Sequence, residues 1–236
     1  MNKKTHSFTA RAACVLVFQL TVWSSYAQVA EGKYSVMAPL EQYLMEPKAE
    51  IALARSAAPE AISRDAKVLI LTRTGYQTAV DGTNGFVCLV ERSWMAPFDA
   101  PEFWNPKIRG AACYNPPASQ SILPIDYKRA QMAIAGRSKA QIEEEMKAAF
   151  TNKEIPALEP GAMCYMMSKE AYLTDSGDHK LAHLMFYTPP MEGAAWGADV
   201  PNSPVMLISK FSAAQPVNVF IVPVGRWSDG TAAPPM

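Results

Sequence analysis

Short apolar runs separated by turn residues dominate the second half of the chain and restrict its fold most strongly. After Pro156 these runs are "AMCYMMS", "LAHLMFYT", "PVMLISKF" and "NVFIVPV", with proline-rich connections between them. Runs of this length, rich in aromatic and β-branched residues, are typical of strands. Two earlier stretches, "KVLILTR" and "GYQTAVDGTNGFVCLVER", show the same pattern, and the second predicts a hairpin that bends at residues 81–85.

Helical patterns lie apart from these strands. Pro47 can occupy the first turn of a helix over "KAEIALARSAA", which Pro59 would end. "PIDYKRAQMAIAG" and "SKAQIEEEMKAAF" predict two more helices, and Ser138 and Gln141 have the spacing of a capping box. Because helices and strands are segregated, we expect an α+β domain with a mainly antiparallel sheet and two or three helices packed on it.

The amino-terminal segment has the three parts of a secretory signal peptide. Three basic residues precede an apolar run over 12–23, and Ser25-Tyr26-Ala27 supplies the small-residue cleavage pattern. The apolar run is shorter than the roughly 20 residues that cross a bilayer, and no later stretch is long enough. The sequence therefore predicts a signal peptide over 1–27, a single domain over 28–230 and a flexible tail over 231–236, in the periplasm or the medium, with no membrane span after cleavage.

The charge balance argues against nucleic acid as a partner. The chain has 22 basic and 22 acidic residues, and the predicted signal holds three basic residues and no acidic one, so the mature chain carries a net charge of −3. A nucleic-acid-binding domain normally carries a basic patch or stripe. The sequence also shows no block of like charge and no repeat of fixed period, and we expect no cofactor.

Three cysteines remain after cleavage, at positions 88, 113 and 164. An exported chain meets an oxidising compartment in which one pair can close. Cys88 with Cys113 is the first choice, which would tie a central strand to the segment that follows it. Cys164 has apolar neighbours that are typical of an inert buried thiol, although a bridge to Cys164 is the alternative.

Both histidines of the mature chain lie in "DSGDHKLAHLMFYTPP". His179 and His183 would share a metal ion on a helix, but a strand would separate them by about 13 Å. The aromatic run and the closing prolines favour a strand, which makes His183 a core or sheet-face histidine and His179 a turn residue. A metal-dependent hydrolase that uses Asp175, Asp178, His179 and His183 is the alternative.

A proline-rich aromatic stretch is the other unusual feature. "SWMAPFDAPEFWNPKIRGAACYNPP" contains Trp94, Phe98, Phe103, Trp104 and Tyr114. Aromatic rings held by prolines can form a platform for a small molecule or a partner protein. The other interpretation is a stiff loop packed over an edge of the sheet. Trp94 follows an apolar strand and is expected to be buried, whereas Trp104 has polar neighbours and is expected to face outward.

Three phrases, "EIALARSAAPEAIS", "GTNGFVCLVERSW" and "GRWSDGTAAP", resemble exported bacterial proteins of an uncharacterised group. The resemblance implies a periplasmic or secreted setting and brings no activity and no functional residue with it. The leading functional hypothesis is a non-enzymatic exported domain that binds a small molecule or a protein, with the aromatic stretch as its contact surface.

Overall fold

One eight-stranded sheet organises the part of the chain that the structure describes. The structure is a computed structural model and describes Met1 and residues 32–176, 180–198, 200–210 and 212–234, so the predicted signal peptide lies outside the described residues apart from Met1. The strands are β1 (Lys67–Thr72), β2 (Gly75–Val80), β3 (Val87–Glu91), β4 (Gly110–Tyr114), β5 (Met163–Met166), β6 (His183–Thr188), β7 (Met206–Ser209) and β8 (Asn218–Pro223). Their order across the sheet is β2-β1-β3-β4-β5-β6-β8-β7.

The sheet is mixed, because one of its seven strand pairings is parallel. β1 pairs with β3 in parallel and the other six pairings are antiparallel. The predicted hairpin between β2 and β3 is wrong: β2 folds back on β1 through Arg73 and Thr74. The 81–85 segment instead crosses the start of β1, where a Cβ on Gly82 would lie 2.0 Å from the Lys67 nitrogen. Glycine permits this close crossing, and β3 then enters the sheet beside β1 and parallel to it.

Five α-helices lie within the described residues: α1 (Pro47–Arg55), α2 (Glu60–Ser63), α3 (Pro116–Ser121), α4 (Leu123–Ile134) and α5 (Lys139–Thr151). The predicted helices are confirmed as α1, α4 and α5, and the predicted capping box of Ser138 and Gln141 is formed in both directions. The expected number of two or three helices is wrong. α2 and α3 are too short to show a 3.6-residue hydrophobic period, so the pattern does not reveal them.

Helices cover both faces of the sheet. The α1 face carries Val68, Cys88, Val90, Ala111 and Cys113, which pack with α1 and α2. The α4 face carries side chains that pack with α3, α4, α5 and the aromatic stretch: Leu69, Leu89, Ala112, Tyr114, Cys164 and Met166. Cys88 and Val90 alternate with Leu89 along β3, as the sequence predicts for a strand covered on both sides.

The predicted disulfide between Cys88 and Cys113 is confirmed. The two cysteines lie directly opposite each other on β3 and β4 and are fully buried in the α1 face. Cys164 is a buried free thiol on the α4 face. Burial raises the pKa of the Cys164 thiol well above its ordinary value, so the thiol keeps its proton at neutral pH.

The aromatic stretch is more regular than the sequence suggested. Ser93–Met95 forms a turn of 3₁₀-helix, and β4 occupies its second half. The strand consists mainly of small residues with low β propensity. Its pairing with β3 and β5 stabilises it instead.

The carboxyl-terminal end folds back on the residues before it. The Trp227 amide donates to the Thr231 carbonyl at 2.9 Å, and the Ala233 amide donates to the Gly225 carbonyl at 3.1 Å. The tail that was expected to be flexible from 231 is therefore paired through residue 233. Among the described residues, no helix combines the length and the apolar character that a bilayer crossing requires.

Candidate functional site

A cavity of about 340 Å³ lies between the α4 face of the sheet and the start of α4. Its wall is mainly apolar and comes from six strands, α4 and the 3₁₀ turn of Ser93–Met95, with Met166, Met185, Tyr187, Val219, Ile221 and Ile125 among its members. Small-molecule sites in proteins typically have volumes of roughly 300 to 1,000 Å³ and walls of this apolar kind. The cavity therefore has the size and lining of a site for a small molecule.

The cavity reaches solvent beside β7. Ile208 of β7 lines the cavity and is 43% exposed, so it belongs to both the wall and the outer surface. A large apolar side chain at such a border can contact an entering ligand. We call Ile208 the mouth residue.

Glu91 presents a carboxyl to the cavity. It is the last residue of β3, and the alternation of that strand places it on the α4 face with Leu89. Its partner across the sheet is Gly110, where an added Cβ would lie 3.1 Å from the Met166 methyl and 3.6 Å from Glu91 Oε2. The absence of a side chain at Gly110 thus leaves room beside the carboxyl. The Tyr114 hydroxyl donates a hydrogen bond to Glu91 Oε1.

Asp126 adds a second carboxyl in the first turn of α4. Its side chain lines the cavity wall, the residue is 1% exposed, and neither of its oxygens has a hydrogen-bond partner among the described residues. The Tyr114 hydroxyl lies close to Asp126 and lowers its pKa somewhat, but the proton of that hydroxyl is directed to Glu91. Burial, and then the charge of Glu91, raise the pKa of Asp126 well above its ordinary value.

Burial also raises the pKa of Glu91. The hydrogen bond from Tyr114 and the charge of Arg129 oppose this shift. Glu91 keeps some accessible surface because it faces the cavity, although protein surrounds it. The two carboxyls interact and so titrate as a pair. We call Glu91 and Asp126 the carboxyl pair.

Arg129 is a cation whose charge lowers the pKa values of this pair, yet its Nη atoms donate to other groups and its Nε has no hydrogen-bond partner among the described residues. Its guanidinium donates to the Ala96 carbonyl at 2.6 Å, to Gln215 Oε1 at 3.2 Å and to the Met95 carbonyl at 3.3 Å. It also lies 4.3 Å from the centre of the Phe98 ring. Burial lowers the pKa of Arg129 to about 10, so it remains charged at neutral pH. The described residues include no ion pair between Arg129 and the carboxyl pair.

His183 lines the cavity from the start of β6 and is a buried sheet-face residue, as predicted. Its Nδ1 lies 2.8 Å from the Leu181 carbonyl, which can only accept, so Nδ1 carries the proton. Burial lowers the pKa of His183, and the ring is neutral at pH 7. Ser93 also lines the cavity with a buried hydroxyl that has no partner among the described residues.

The aromatic residues proposed as a contact surface lie mostly inside the protein. Trp94, Phe103, Trp104 and Tyr114 are buried, and Phe98 is partly buried. Of the five, Tyr114 lines the cavity. The stretch therefore packs over the α4 face, and its use as an outer contact surface stays a prediction.

The expectation that Trp104 faces outward is wrong, since it is 3% exposed. The Tyr43 hydroxyl donates to the Trp104 carbonyl at 2.8 Å, and the Phe103 ring meets the Trp104 ring edge-on with centroids 4.7 Å apart. One of these contacts comes from a residue 61 positions away in the sequence, which the polar neighbours of Trp104 could not indicate.

The residues predicted for a metal site are not brought together within the described part of the chain. Asp175 accepts hydrogen bonds from Lys33, Tyr34, Asn105 and Tyr172, which fix the start of the domain to the aromatic stretch. Asp178 and His179 lie outside the described residues. The described residues contain no group of three or more His, Cys, Asp or Glu side chains placed to hold a metal. The metal-dependent hydrolase stays a prediction.

Two wider depressions of about 490 and 580 Å³ lie elsewhere, one beside Phe150 and Val217 and one beside Trp227. Among the described residues, their linings contain no buried ionisable side chain that would orient a ligand.

A comparison of the chain with protein families, curated proteins and solved structures finds no match in any of the three. The geometry of the cavity is therefore the basis for a functional proposal.

Proposed function

We propose that the domain is an exported, non-enzymatic module that binds one small molecule in the cavity of the α4 face. The observation that supports this most is the combination of a mainly apolar wall with a few converging polar groups, the carboxyl pair and Ser93. Apolar walls provide affinity for small molecules and a few placed polar groups fix their orientation. The predicted signal peptide and the disulfide of Cys88 and Cys113 fit a periplasmic or secreted setting.

Two side chains near the cavity that could act as nucleophile or base, Cys164 and His183, are held in unreactive states. The Cys164 thiol keeps its proton because burial raises its pKa, and a thiol is a poor nucleophile compared with a thiolate. The neutral His183 ring donates to a main-chain carbonyl. These states favour binding over covalent catalysis.

The aromatic stretch then has a supporting role. Arg129 of α4 donates to the carbonyls of Met95 and Ala96 and lies over the Phe98 ring. Met95 and Ala96 themselves line the cavity. These contacts fix part of the wall to α4, so the shape of the cavity depends on the stretch although its rings lie mostly in the core.

Fluorescence titration with the neutral apolar probe N-phenyl-1-naphthylamine tests the proposal. We expect the wild-type protein to bind it, and Ile208→Asp at the mouth to weaken binding by about tenfold, because a charge replaces an apolar contact. Val200→Asp is the matched control, since Val200 is 49% exposed and does not line the cavity. Absence of binding, or equal weakening by both variants, would contradict a site in this cavity.

A further inference from the structure

The carboxyl pair indicates what kind of molecule the cavity accepts, and this inference rests on the proposed function. We propose that the ligand is an organic cation, an ammonium group on an apolar body, whose positive end binds to Glu91 with Asp126 as the second carboxyl. The apolar body of the ligand packs against the cavity wall. The observations are the unpartnered buried oxygens of Asp126, the position of Glu91 in the cavity and the Nη atoms of Arg129, which donate to other groups.

The missing hydrogen bonds of Asp126 favour a cationic ligand. Ionised carboxylates only accept hydrogen bonds, and buried carboxyl oxygens nearly always have donors. Both Asp126 oxygens lack a donor among the described residues, and the Tyr114 hydroxyl is the donor that Glu91 receives. The Asp126 oxygens therefore lack donors, and a primary ammonium group supplies three.

The net charge around the carboxyl pair also favours a cationic ligand. The carboxyl pair and Arg129 together carry one net negative charge when both carboxyls are ionised. Arg129 cannot turn to the pair without giving up its bonds to Ala96, Met95 and Gln215. Arg92 also lines the cavity, but its guanidinium is bound to Glu50. One added cation neutralises the carboxyl pair with Arg129. Glu102 also lines the cavity, but its oxygens accept hydrogen bonds from Asn105, Thr174 and the Asp175 amide.

The same features disfavour other ligand classes. An anion would meet two carboxyls in a low-dielectric site, where repulsion between like charges is strong. A bare metal ion would find two carboxylates in a mainly apolar wall, fewer oxygen ligands than calcium or magnesium takes, and the described residues supply no larger group. An ammonium group on an apolar body matches both the carboxyls and the wall.

Binding of the cation should release a proton. In the empty site burial keeps the carboxyl pair protonated to a higher pH than in water, and a cation favours the ionised form, so the proton passes to solvent. Other groups that face Glu91 stay constant in charge between pH 7 and 8.5: Arg129 remains cationic, His183 remains neutral, and raised pKa values keep Tyr76, Tyr114, Tyr187 and Cys164 neutral.

Three probes with one naphthyl body test the inference by isothermal titration calorimetry: 1-naphthylmethylammonium, 1-naphthylmethanol and 1-naphthoate. We expect the wild-type protein to bind the ammonium probe about tenfold more tightly than the alcohol, and the carboxylate more weakly than either. Glu91→Gln should weaken binding of the ammonium probe to about the affinity of the alcohol. Glu159→Gln, an exposed carboxyl outside the cavity, is the control and should behave as wild type.

A second measurement does not depend on the folding of a variant. Wild-type affinity for the ammonium probe should increase from pH 7 to 8.5, with a heat that depends on the ionisation enthalpy of the buffer, because a proton leaves. Affinity for the alcohol should not increase. Alcohol binding without preference for the ammonium probe would overturn the cation inference and keep the proposed function. Failure of all three probes to bind, together with failure of N-phenyl-1-naphthylamine, would overturn both.

Discussion

Glu91 and Arg92 are neighbours in the sequence, and the sheet places their charges in two different environments. Arg92 forms a fully buried ion pair with Glu50 of α1, with 2.8 Å between Nη2 and Oε1. Glu91 faces the cavity of the α4 face beside Asp126, whose oxygens have no partner among the described residues. The contrast shows that this fold can pair a buried charge, and the Asp126 oxygens without a donor therefore support the proposed ligand.

The ion pair joins several elements in one network. Arg92 also donates to the Tyr43 carbonyl at 2.6 Å and to the Val90 carbonyl at 2.5 Å, and Glu50 Oε1 accepts from the Leu71 amide at 3.0 Å. One carboxylate and one guanidinium thus hold α1, β1 and β3 together. Glu50 Oε2 is the one oxygen of the pair without a hydrogen bond among the described residues.

The largest expected effect comes from breaking this pair. Arg92→Ala leaves the Glu50 carboxylate buried without its cation, which typically costs about 3 to 5 kcal/mol of unfolding free energy. Urea unfolding followed by circular dichroism measures the loss. Arg73→Ala is the matched control, because Arg73 pairs with Glu41 on the surface, where ion pairs contribute about 0 to 1 kcal/mol. Equal effects of the two substitutions would remove the distinction between the two environments.

The disulfide is expected to have the next largest effect, since it also fixes the α1 face. It closes a sequence separation of 25 residues, for which the loop-entropy relation gives about 3 kcal/mol. The double substitution of Cys88→Ala with Cys113→Ala should lose this amount. A reductant should lower the stability of the wild-type protein towards that of the variant and leave the variant unchanged. Non-reducing peptide mapping that finds both thiols free in protein produced under oxidising conditions would contradict the bridge.

Local patterns in the sequence predict much of the secondary structure, because strands and longer helices have their own hydrophobic periods. The strand containing His183 is correct for this reason, and the cap at Ser138 is correct because its spacing to Gln141 is also a local pattern. Pairing of strands is less predictable. The turn residues at 81–85 suggested a hairpin, whereas the backbone contact of Gly82 with Lys67 places β3 parallel to β1.

The candidate site was harder to predict than the fold. Glu91 continues the alternation of Val87 and Leu89, but a charged pair at a strand end is usually exposed to solvent. Asp126 follows the pattern of an acidic residue in a first helical turn, which is also usually a surface residue. The cavity brings them together from segments 35 residues apart, and no local pattern contains that information.

The smallest expected effect is the pH dependence of the cavity side. Asp126 has a raised pKa in the folded protein, so between its ordinary pKa and the raised value the unfolded chain has lost a proton that the folded protein keeps. The contribution of Asp126 to the free energy of unfolding is fully present below about pH 4. It decreases as pH rises, by at most about 1.4 kcal/mol per pH unit. Asp126→Asn removes this loss, so the variant should gain about 1 to 2 kcal/mol on wild type between pH 5 and pH 8.

Chemical denaturation of the ligand-free protein at several pH values measures this difference. Asp99→Asn, which changes an exposed carboxyl, should follow wild type throughout. His183 has the opposite effect on stability. Because its pKa is lowered in the folded protein, stability decreases as pH falls below its ordinary pKa of about 6.5. This contribution is the same in wild type and variant, so it cancels in their difference. A constant difference from pH 5 to pH 8 would mean that Asp126 is ionised and has a partner in the empty protein. Asp126 would then resemble Glu50, which is already paired, and the carboxyl pair would need no cationic ligand.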